Sequence, residues 1–303
     1  MFKLNVILLL CCFVSMATFS QSKTEHFLTP SDTLNKPRRN AAIITEASLA
    51  GITLIGLNQL WYADYPHSKF QTINDSNEWL QMDKMGHVFS SYQVGRAGAN
   101  VLNWSGVSKK NQLLYGATLG FTFLTAVEVL DGYSAEWGFS WSDMAANAAG
   151  TSLYIGQELL WDEQRITLKY SFHQTQYASQ RPDKLGTGFF EEVLKDYNGQ
   201  TYWLSGNIHS FFKDSNIPKW LNFAVGYGAE GMLVVDNESV DNLGITQSPK
   251  RQFYLSLDVD LSRIKTNSHL LKSILEVLNV IKVPFPALEL DSNGKLKAHP
   301  VYF

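Results

Sequence analysis

Polar residues recur at helical spacing in three otherwise apolar segments, and their types could support acid/base or metal chemistry. The positions are Asp83, Lys84 and His87 in the first segment, Glu128 in the second, and Asp143 with Asn147 in the third. Residues four apart share one face of a helix, so Asp83 lies beside His87 and Asp143 beside Asn147. If the three faces point inward at one level, they bring together three carboxylates, one imidazole and one amide.

One interpretation of this pattern is a catalytic or metal site that acts on a lipid-linked or cell-wall substrate. Carboxylates crowded in an apolar bundle raise one another's pKa, and an imidazole or a bound cation is the usual compensation. A histidine mixed with carboxylates suits Zn, Mn or Fe about equally, so the metal and any cofactor stay open. The chain has no H-E-x-x-H pair of metal ligands.

The other interpretation is structural, and it is the one that we favour. Here Lys84 or His87 pairs with a carboxylate across helices, and Asp143 stabilises the start of its helix. Asn147 hydrogen-bonds a neighbouring backbone. A polar cluster without a recognisable nucleophile is more often architecture than catalysis. The sequence therefore predicts a structural or binding element held by an internal polar cluster, and it leaves open whether the protein is an enzyme.

Four long apolar segments are predicted to form the helices of a bundle over residues 40–162. They run from Ala41 to Trp61, from Lys84 to Trp104, from Asn111 to Leu130 and from Ser142 to Trp161. Small residues at helical spacing, such as Gly116 and Gly120, allow close approach of the helix backbones. Each segment has about the 20 residues of a membrane span, yet each carries a polar group, so soluble and membrane-embedded bundles both remain open. Aromatic residues at the segment ends favour contact with a membrane.

The remainder of the chain, residues 163–303, changes to the two-residue period of β-strands. Alternating apolar and polar residues predict strands over 165–172 and 253–261, and a third over 223–235. Ser292, Asn293 and Gly294 predict a turn before the last segment. Ser268 to Lys282 carries an amphipathic stripe. The expected fold class is thus α+β, with a smaller strand-rich module after the helices.

The N-terminus and the composition indicate an exported bacterial protein. Lys3, the apolar run from Val6 to Val14 and small residues up to Ser20 predict a signal peptide over residues 1–20, followed by a polar lead over 21–39. Both cysteines lie in that peptide, and processing after Ser20 is expected rather than lipidation. The 303 residues with 45% apolar side chains exclude disorder, and the formal charge of -3 gives no basic surface for nucleic acid. Membrane or envelope components are the expected partners, in the periplasm or at a membrane.

The three motifs in this order resemble the signature of the VanZ-like envelope proteins and, more closely, the uncharacterised YfiM-like periplasmic family. The resemblance rests on DKMGH at Asp83 to His87, on Glu128 and on DMAANAAG at Asp143 to Gly150, and it covers roughly residues 40–161. It implies an envelope location and a helical fold but no reaction. The chain departs from the VanZ-like pattern at Ser91, where a tyrosine is usual, and at Asp131, where a glutamine is usual.

Overall fold

The computed structural model describes residues 24–62, 65–235 and 248–303. The predicted signal peptide, with Cys11 and Cys12, lies outside these residues. Within them, helices fill the first half of the chain and a sheet of antiparallel strands fills most of the second half, with short helices between the strands. The structure therefore confirms the predicted α+β class.

Four long helices occupy the first half of the described chain. α1 spans Lys36–Leu57, α2 Met82–Trp104, α3 Lys109–Gly132 and α4 Trp141–Trp161. A π-helical turn at Asn58–Tyr62 extends α1, and another lies inside α3 at Gln112–Ala117. By length and composition alone, α1 and α3 could each cross a membrane.

Helix α2 packs against both α3 and α4 through glycines. A Cβ atom at Gly120 of α3 would lie 2.1 Å from the carbonyl oxygen of Ser91 in α2, and one at Gly150 of α4 would lie equally close to that of Val88. The small residues noted in the sequence therefore stand where the helix backbones meet.

Helix α1 lies at the edge of this bundle, which differs from the predicted bundle of four. Ala42 is its one buried residue, whereas Ile44, Ile52 and Ile55 are each about two-thirds exposed. The sequence pattern of α1 is apolar nearly all round, so it gave no sign of how little of the helix is buried.

Six strands form one antiparallel sheet in which each strand pairs with the next in the chain. The strands are β3 (Ile166–Phe172), β4 (Gln200–Asn207), β5 (Leu221–Glu230), β6 (Lys250–Val259), β7 (Phe285–Asp291) and β8 (Leu296–Tyr302). Two earlier strands, β1 (Thr72–Ile73) and β2 (Phe139–Ser140), pair in parallel. The three predicted strands correspond to β3, β5 and β6, whereas β4 and β7 were not predicted.

Short helices connect these strands. They are α5 (Pro182–Leu185), α6 (Phe189–Lys195), α7 (Ile208–Phe211) and α8 (His269–Leu278), together with 3₁₀ turns at Glu78–Gln81, Ala178–Gln180 and Leu261–Arg263. The amphipathic helix expected from Ser268 onward is α8, and Ser268 caps it. Gly294 adopts a positive φ of 78° in the predicted turn between β7 and β8.

The inner face of the sheet is buried and largely polar. Lys169 Nζ lies 2.8 Å from Asp258 Oδ2, and both side chains are completely buried. The hydroxyls of Thr201 in β4 and Tyr302 in β8 are 2.9 Å apart. Because this contact joins strands that are four apart in the sheet, the sheet curls around its own polar side chains.

The opposite face of strands β4 to β7 is apolar and exposed, and we refer to it as the apolar face. Its members are Leu204, Phe223, Val225, Phe253, Leu255, Leu257, Leu288 and Leu290, each 40–48% exposed. Leu204, Val225, Leu255 and Leu288 stand directly opposite one another across the four strands. The sheet is therefore polar inside and apolar outside.

The helical bundle covers only one margin of that outer side. Leu168 of β3 packs with Tyr92 and Ala99 of α2, and the Gln93 amide donates to the Leu168 carbonyl oxygen. The Phe89 ring contacts the ring of Tyr202 at a centroid distance of 5.6 Å. This contact sets the start of α2 beside strands β3 and β4, where the polar residues of the motifs lie.

Candidate functional site

A cavity of about 810 Å³ lies where the start of α2, the end of α3 and the start of α4 meet strands β3 and β4. Its lining is mixed: aromatic side chains such as Tyr62, Trp79 and Tyr202 stand beside carboxylates. The polar residues that line it include Asp75, Asp83, His87, Glu128, Asp131, Asp143 and Tyr197. Four of the motif residues, Asp83, His87, Glu128 and Asp143, therefore face a single space from three helices.

Local structure at the two helix starts positions these residues. Trp79, Leu80 and Gln81 all have positive φ, and this left-handed turn immediately precedes α2. Ser140 caps α4 by accepting a hydrogen bond of 3.1 Å from the Asp143 amide, as serine at a helix start commonly does. These local structures bring the first turns of α2 and α4, which carry Asp83 and Asp143, to the same wall of the cavity.

Lys84 is the centre of the ion pairs. Its Nζ lies 2.6 Å from Asp75 Oδ2, 2.9 Å from Asp83 Oδ2 and 2.7 Å from Asp143 Oδ1. Asp75 also accepts hydrogen bonds from the Ser140 and Ser142 hydroxyls. One ammonium thus joins the loop before α2 to the starts of α2 and α4.

His87 lies on the cavity side of this network. Its Nδ1 is 3.0 Å from Asn147 Oδ1 of α4. Its Nε2 lies 3.9 Å from Asp83 Oδ1, 3.7 Å from Glu128 Oε1 and 3.9 Å from Asp143 Oδ1. These three distances exceed hydrogen-bond length, so Nε2 stands among carboxylate oxygens without bonding any of them.

Three of the carboxylates each accept a hydrogen bond from a group outside the cluster. Glu128 Oε2 accepts from the Ser140 amide at 3.1 Å, and Tyr197 donates to Asp83 Oδ1 at 2.8 Å. Tyr62 donates to Asp131 Oδ1 at 2.6 Å. Backbone and phenol donors therefore orient the acids from outside the cluster.

Burial and crowding shift the pKa values of these acids apart. Burial, with the negative charge of Asp143 nearby, raises the pKa of Glu128 to about 8 against the opposing effect of His87. Burial and the charge of Asp83 raise the pKa of Asp143 to about 7, against the opposing effects of His87 and Lys84. Burial opposes ionisation of Asp83 as well, but His87 and Lys84 outweigh it and lower its pKa.

The surrounding carboxylates raise the pKa values of the basic groups. Burial alone would lower the pKa of His87, but the carboxylates of Asp83, Asp143 and Glu128 outweigh it and raise the pKa above its ordinary value. The carboxylates of Asp83, Asp143 and Asp75 hold the pKa of Lys84 above its ordinary value despite burial. Protons and charges in this cluster are therefore strongly interdependent.

The structure brings together all six residues predicted from the motifs, while their role stays a prediction. Sequence reasoning missed Asp75 and Tyr197. Asp75 lies in a loop, where helical spacing gives no signal, and Tyr197 follows Asp83 by 114 residues. Of the two departures from the VanZ-like pattern, Asp131 lines the cavity, and Ser91 is buried at the contact of α2 with α3.

The donor set includes one group that could hold a metal ion. Ligand atoms of Asp83, His87 and Asp143 lie within 4.8 Å of one another. Imidazole and carboxylate together suit the borderline divalent ions of the first transition series.

The comparison with protein families agrees with an exported location. Residues 73–156 match the model of a family described as a predicted periplasmic lipoprotein, a domain of unknown function (DUF2279). The matched stretch contains Asp75 and all six motif residues, and it ends before the six-stranded sheet. The match supports an exported location in the cell envelope. No curated protein and no solved structure matches the chain.

Proposed function

We propose that this protein is a binding element of the bacterial cell envelope that attaches to a membrane through the apolar face of its sheet. The observation that supports this proposal is the inverted pattern of strands β4 to β7. Their apolar side chains point outward and their polar side chains are buried. Sheets that contact lipid alternate in this way, whereas sheets of water-soluble proteins bury their apolar side.

Lipid is the occupant that the chemistry of the apolar face fits best. Its eight members are all aliphatic or phenylalanine side chains and carry no charge. An apolar surface formed by four adjacent strands is larger than the scattered apolar residues of a water-exposed surface. Trp220, 41% exposed just before β5, supplies an aromatic ring of the kind that lies at membrane interfaces.

The cavity supplies the binding role. The polar cluster links α2, α3 and α4, as the structural interpretation requires, but it is open on one side. The side chains of Asp83 and His87 remain 26% and 16% exposed toward this space. A purely structural network would close on itself, so the opening favours a bound ligand. The relationship to YfiM-like and VanZ-like proteins is part of this proposal, supported by the meeting of the motif residues.

Vesicle flotation tests the membrane attachment. The chain without residues 1–20 is mixed with phospholipid vesicles and centrifuged through a density gradient. Val225 and Leu255 face each other across β5 and β6, so the double variant Val225→Lys, Leu255→Glu replaces two apolar contacts by a cross-strand ion pair that the sheet tolerates. A lysine on a lipid-facing strand costs about 2–4 kcal/mol, so bound protein should fall more than about tenfold.

The matched control places the same two charges elsewhere. Ser179 and Gln180 are exposed and polar, and the variant Ser179→Lys, Gln180→Glu should float like the unmodified chain. Equal flotation of both double variants, with their circular dichroism unchanged, would overturn the membrane proposal.

A second candidate function is acid/base catalysis on a lipid-linked or cell-wall substrate. It is favoured by the proximity of His87 Nε2 to Glu128 Oε1, at 3.7 Å, and by the raised pKa of Glu128, about 8. A carboxyl group that keeps its proton near neutral pH is suited to a general acid. Mass spectrometry of cell-wall fragments and lipid-linked precursors after incubation tests this function. Turnover must disappear in Glu128→Gln, and absence of turnover by the unmodified chain would contradict it.

A further inference from the structure

We infer that the cluster is a divalent-metal site with His87 Nε2, Asp83 Oδ1 and Asp143 Oδ1 as ligands and Glu128 Oε1 beside them. The inference rests on the proposed binding role of the cavity and names the class of ligand at its wall. It is independent of the attachment to a membrane.

The first step is the orientation of the His87 ring. An amide oxygen can only accept, so the contact of Nδ1 with Asn147 Oδ1 places the hydrogen on Nδ1. In a neutral imidazole this leaves the lone pair on Nε2, on the side that faces the carboxylates. Metal-binding histidines are held in the same manner, with the second nitrogen donating to a neighbouring oxygen. Asn147 is fully buried, which fixes the ring further.

The second step is the spacing of the donor atoms. Nε2 lies 3.7–3.9 Å from the three carboxylate oxygens. Four ligands bound tetrahedrally at zinc distances stand about 3.4 Å apart. The ligand atoms of Asp83, His87 and Asp143 all lie within 4.8 Å of one another, so small side-chain rotations bring these three into one coordination shell. The same atoms are too far apart to satisfy one another by hydrogen bonds.

The third step is the balance of charge. Five acidic side chains of the cavity lining gather around Lys84 and His87: Asp75, Asp83, Glu128, Asp131 and Asp143. Asp143 is 4% exposed, and its Oδ1, which lies 3.9 Å from His87 Nε2, is held by Lys84 at 2.7 Å. A carboxylate oxygen has two lone pairs, so one stays available on the cavity side. A divalent cation would add two positive charges to a cluster in which acidic groups outnumber basic groups.

The fourth step is the support behind each ligand. Tyr197 and Lys84 hold the two oxygens of Asp83, and the Ser140 amide holds Glu128. Ligands that are already oriented lose little freedom on binding, and such outer partners usually matter for affinity about 10–100-fold. The cluster is therefore arranged before a metal arrives.

Titration calorimetry on the chelator-treated chain, with Zn²⁺, Mn²⁺ and Mg²⁺ alone as probes, tests the inference. We expect one Zn²⁺ or Mn²⁺ per chain and much weaker Mg²⁺ binding, because imidazole suits the borderline ions. His87→Ala should weaken Zn²⁺ binding at least about tenfold. His299→Ala is the matched control, since the Nε2 of His299 already contacts Glu289 Oε2 at 2.6 Å. Its affinity should stay unchanged.

Cobalt absorption adds a measurement that needs no variant. Co²⁺ bound by one nitrogen and three oxygens in a tetrahedral site gives visible bands that Zn²⁺ abolishes on displacement. Absence of these bands together with absence of Zn²⁺ heat in the unmodified chain would overturn the inference, as would equal Zn²⁺ affinity in His87→Ala and His299→Ala. Flotation of the metal-free chain separates the two proposals, because it depends on the apolar face alone.

Discussion

At the scale of single residues, Lys84 makes more short ion pairs in the site than any other basic group that the structure describes. It is 12% exposed and neutralises acids from three segments of the chain, namely Asp75, Asp83 and Asp143. Removal of one partner from a buried ion pair leaves uncompensated charge in a place that water hardly reaches. Lys84 therefore links the fold of the bundle to the electrostatics of the cavity.

Lys84→Met should lower the free energy of unfolding by about 3–5 kcal/mol, because three carboxylates lose their cation at once. Lys109→Met is the matched control. Lys109 pairs with Glu158 and Asp162 but is 46% exposed, so its loss should cost less than about 1 kcal/mol. Urea unfolding followed by tryptophan fluorescence measures both, and comparable losses would show that Lys84 is an ordinary surface lysine.

Asp131 should make stability depend on pH. Burial outweighs the Tyr62 hydrogen bond and raises the Asp131 pKa from its ordinary value to about 6. The folded chain thus holds this proton more tightly than the unfolded chain does. The resulting stabilisation is complete below about pH 4 and is lost as the pH rises through 6.

Asp131→Asn should therefore be more stable than the unmodified chain at pH 8, by about 1–2 kcal/mol, and the difference should vanish near pH 4. Tyr62→Phe is a control of opposite sign, because it removes the donor and leaves the buried carboxylate unbonded. Denaturant midpoints at several pH values measure both variants. A difference for Asp131→Asn that does not change with pH would contradict the assignment.

At the scale of elements, the contact of α2 with α3 depends on the absence of side chains. Gly120→Ala should destabilise the protein by about 1–3 kcal/mol, because the new methyl group would meet the Ser91 carbonyl oxygen. Gly156→Ala in α4 is the matched control: a Cβ atom there would meet no atom within 4 Å, so the variant should add up to about 1 kcal/mol of helix propensity. Thermal unfolding midpoints should move in opposite directions, and a shift of the same sign would refute the close contact.

The sequence predicts the positions of secondary-structure elements and motif residues better than it predicts which face of an element is buried. Spacing of four residues was enough to place Asp83 with His87 and Asp143 with Asn147, because helix geometry fixes that relation. Alternation in β6 revealed two faces but not which of them is buried, and the usual rule would have buried the apolar one. Strand β4 was missed because its inner side is partly polar, as at Thr201 and Ser205.

At the scale of the whole molecule, the apolar face predicts how the protein behaves in cells. Apolar contact is insensitive to ionic strength, whereas contact through charges is screened by salt. The native protein should remain with the membranes of the cell envelope after washing in concentrated salt and should be released by detergent. Immunoblotting of the fractions checks this, and complete release by salt would indicate attachment through charges or through a partner.

The buried pair of Lys169 and Asp258 restricts how this chain can evolve. Replacement of either residue alone leaves the charge of its partner buried and unpaired inside the curled sheet. Joint replacement by apolar residues of similar volume is tolerated in other proteins. Substitutions at the two positions should therefore be inherited together. Among descendants of a common ancestor, a lineage that has lost the lysine should also have lost the aspartate.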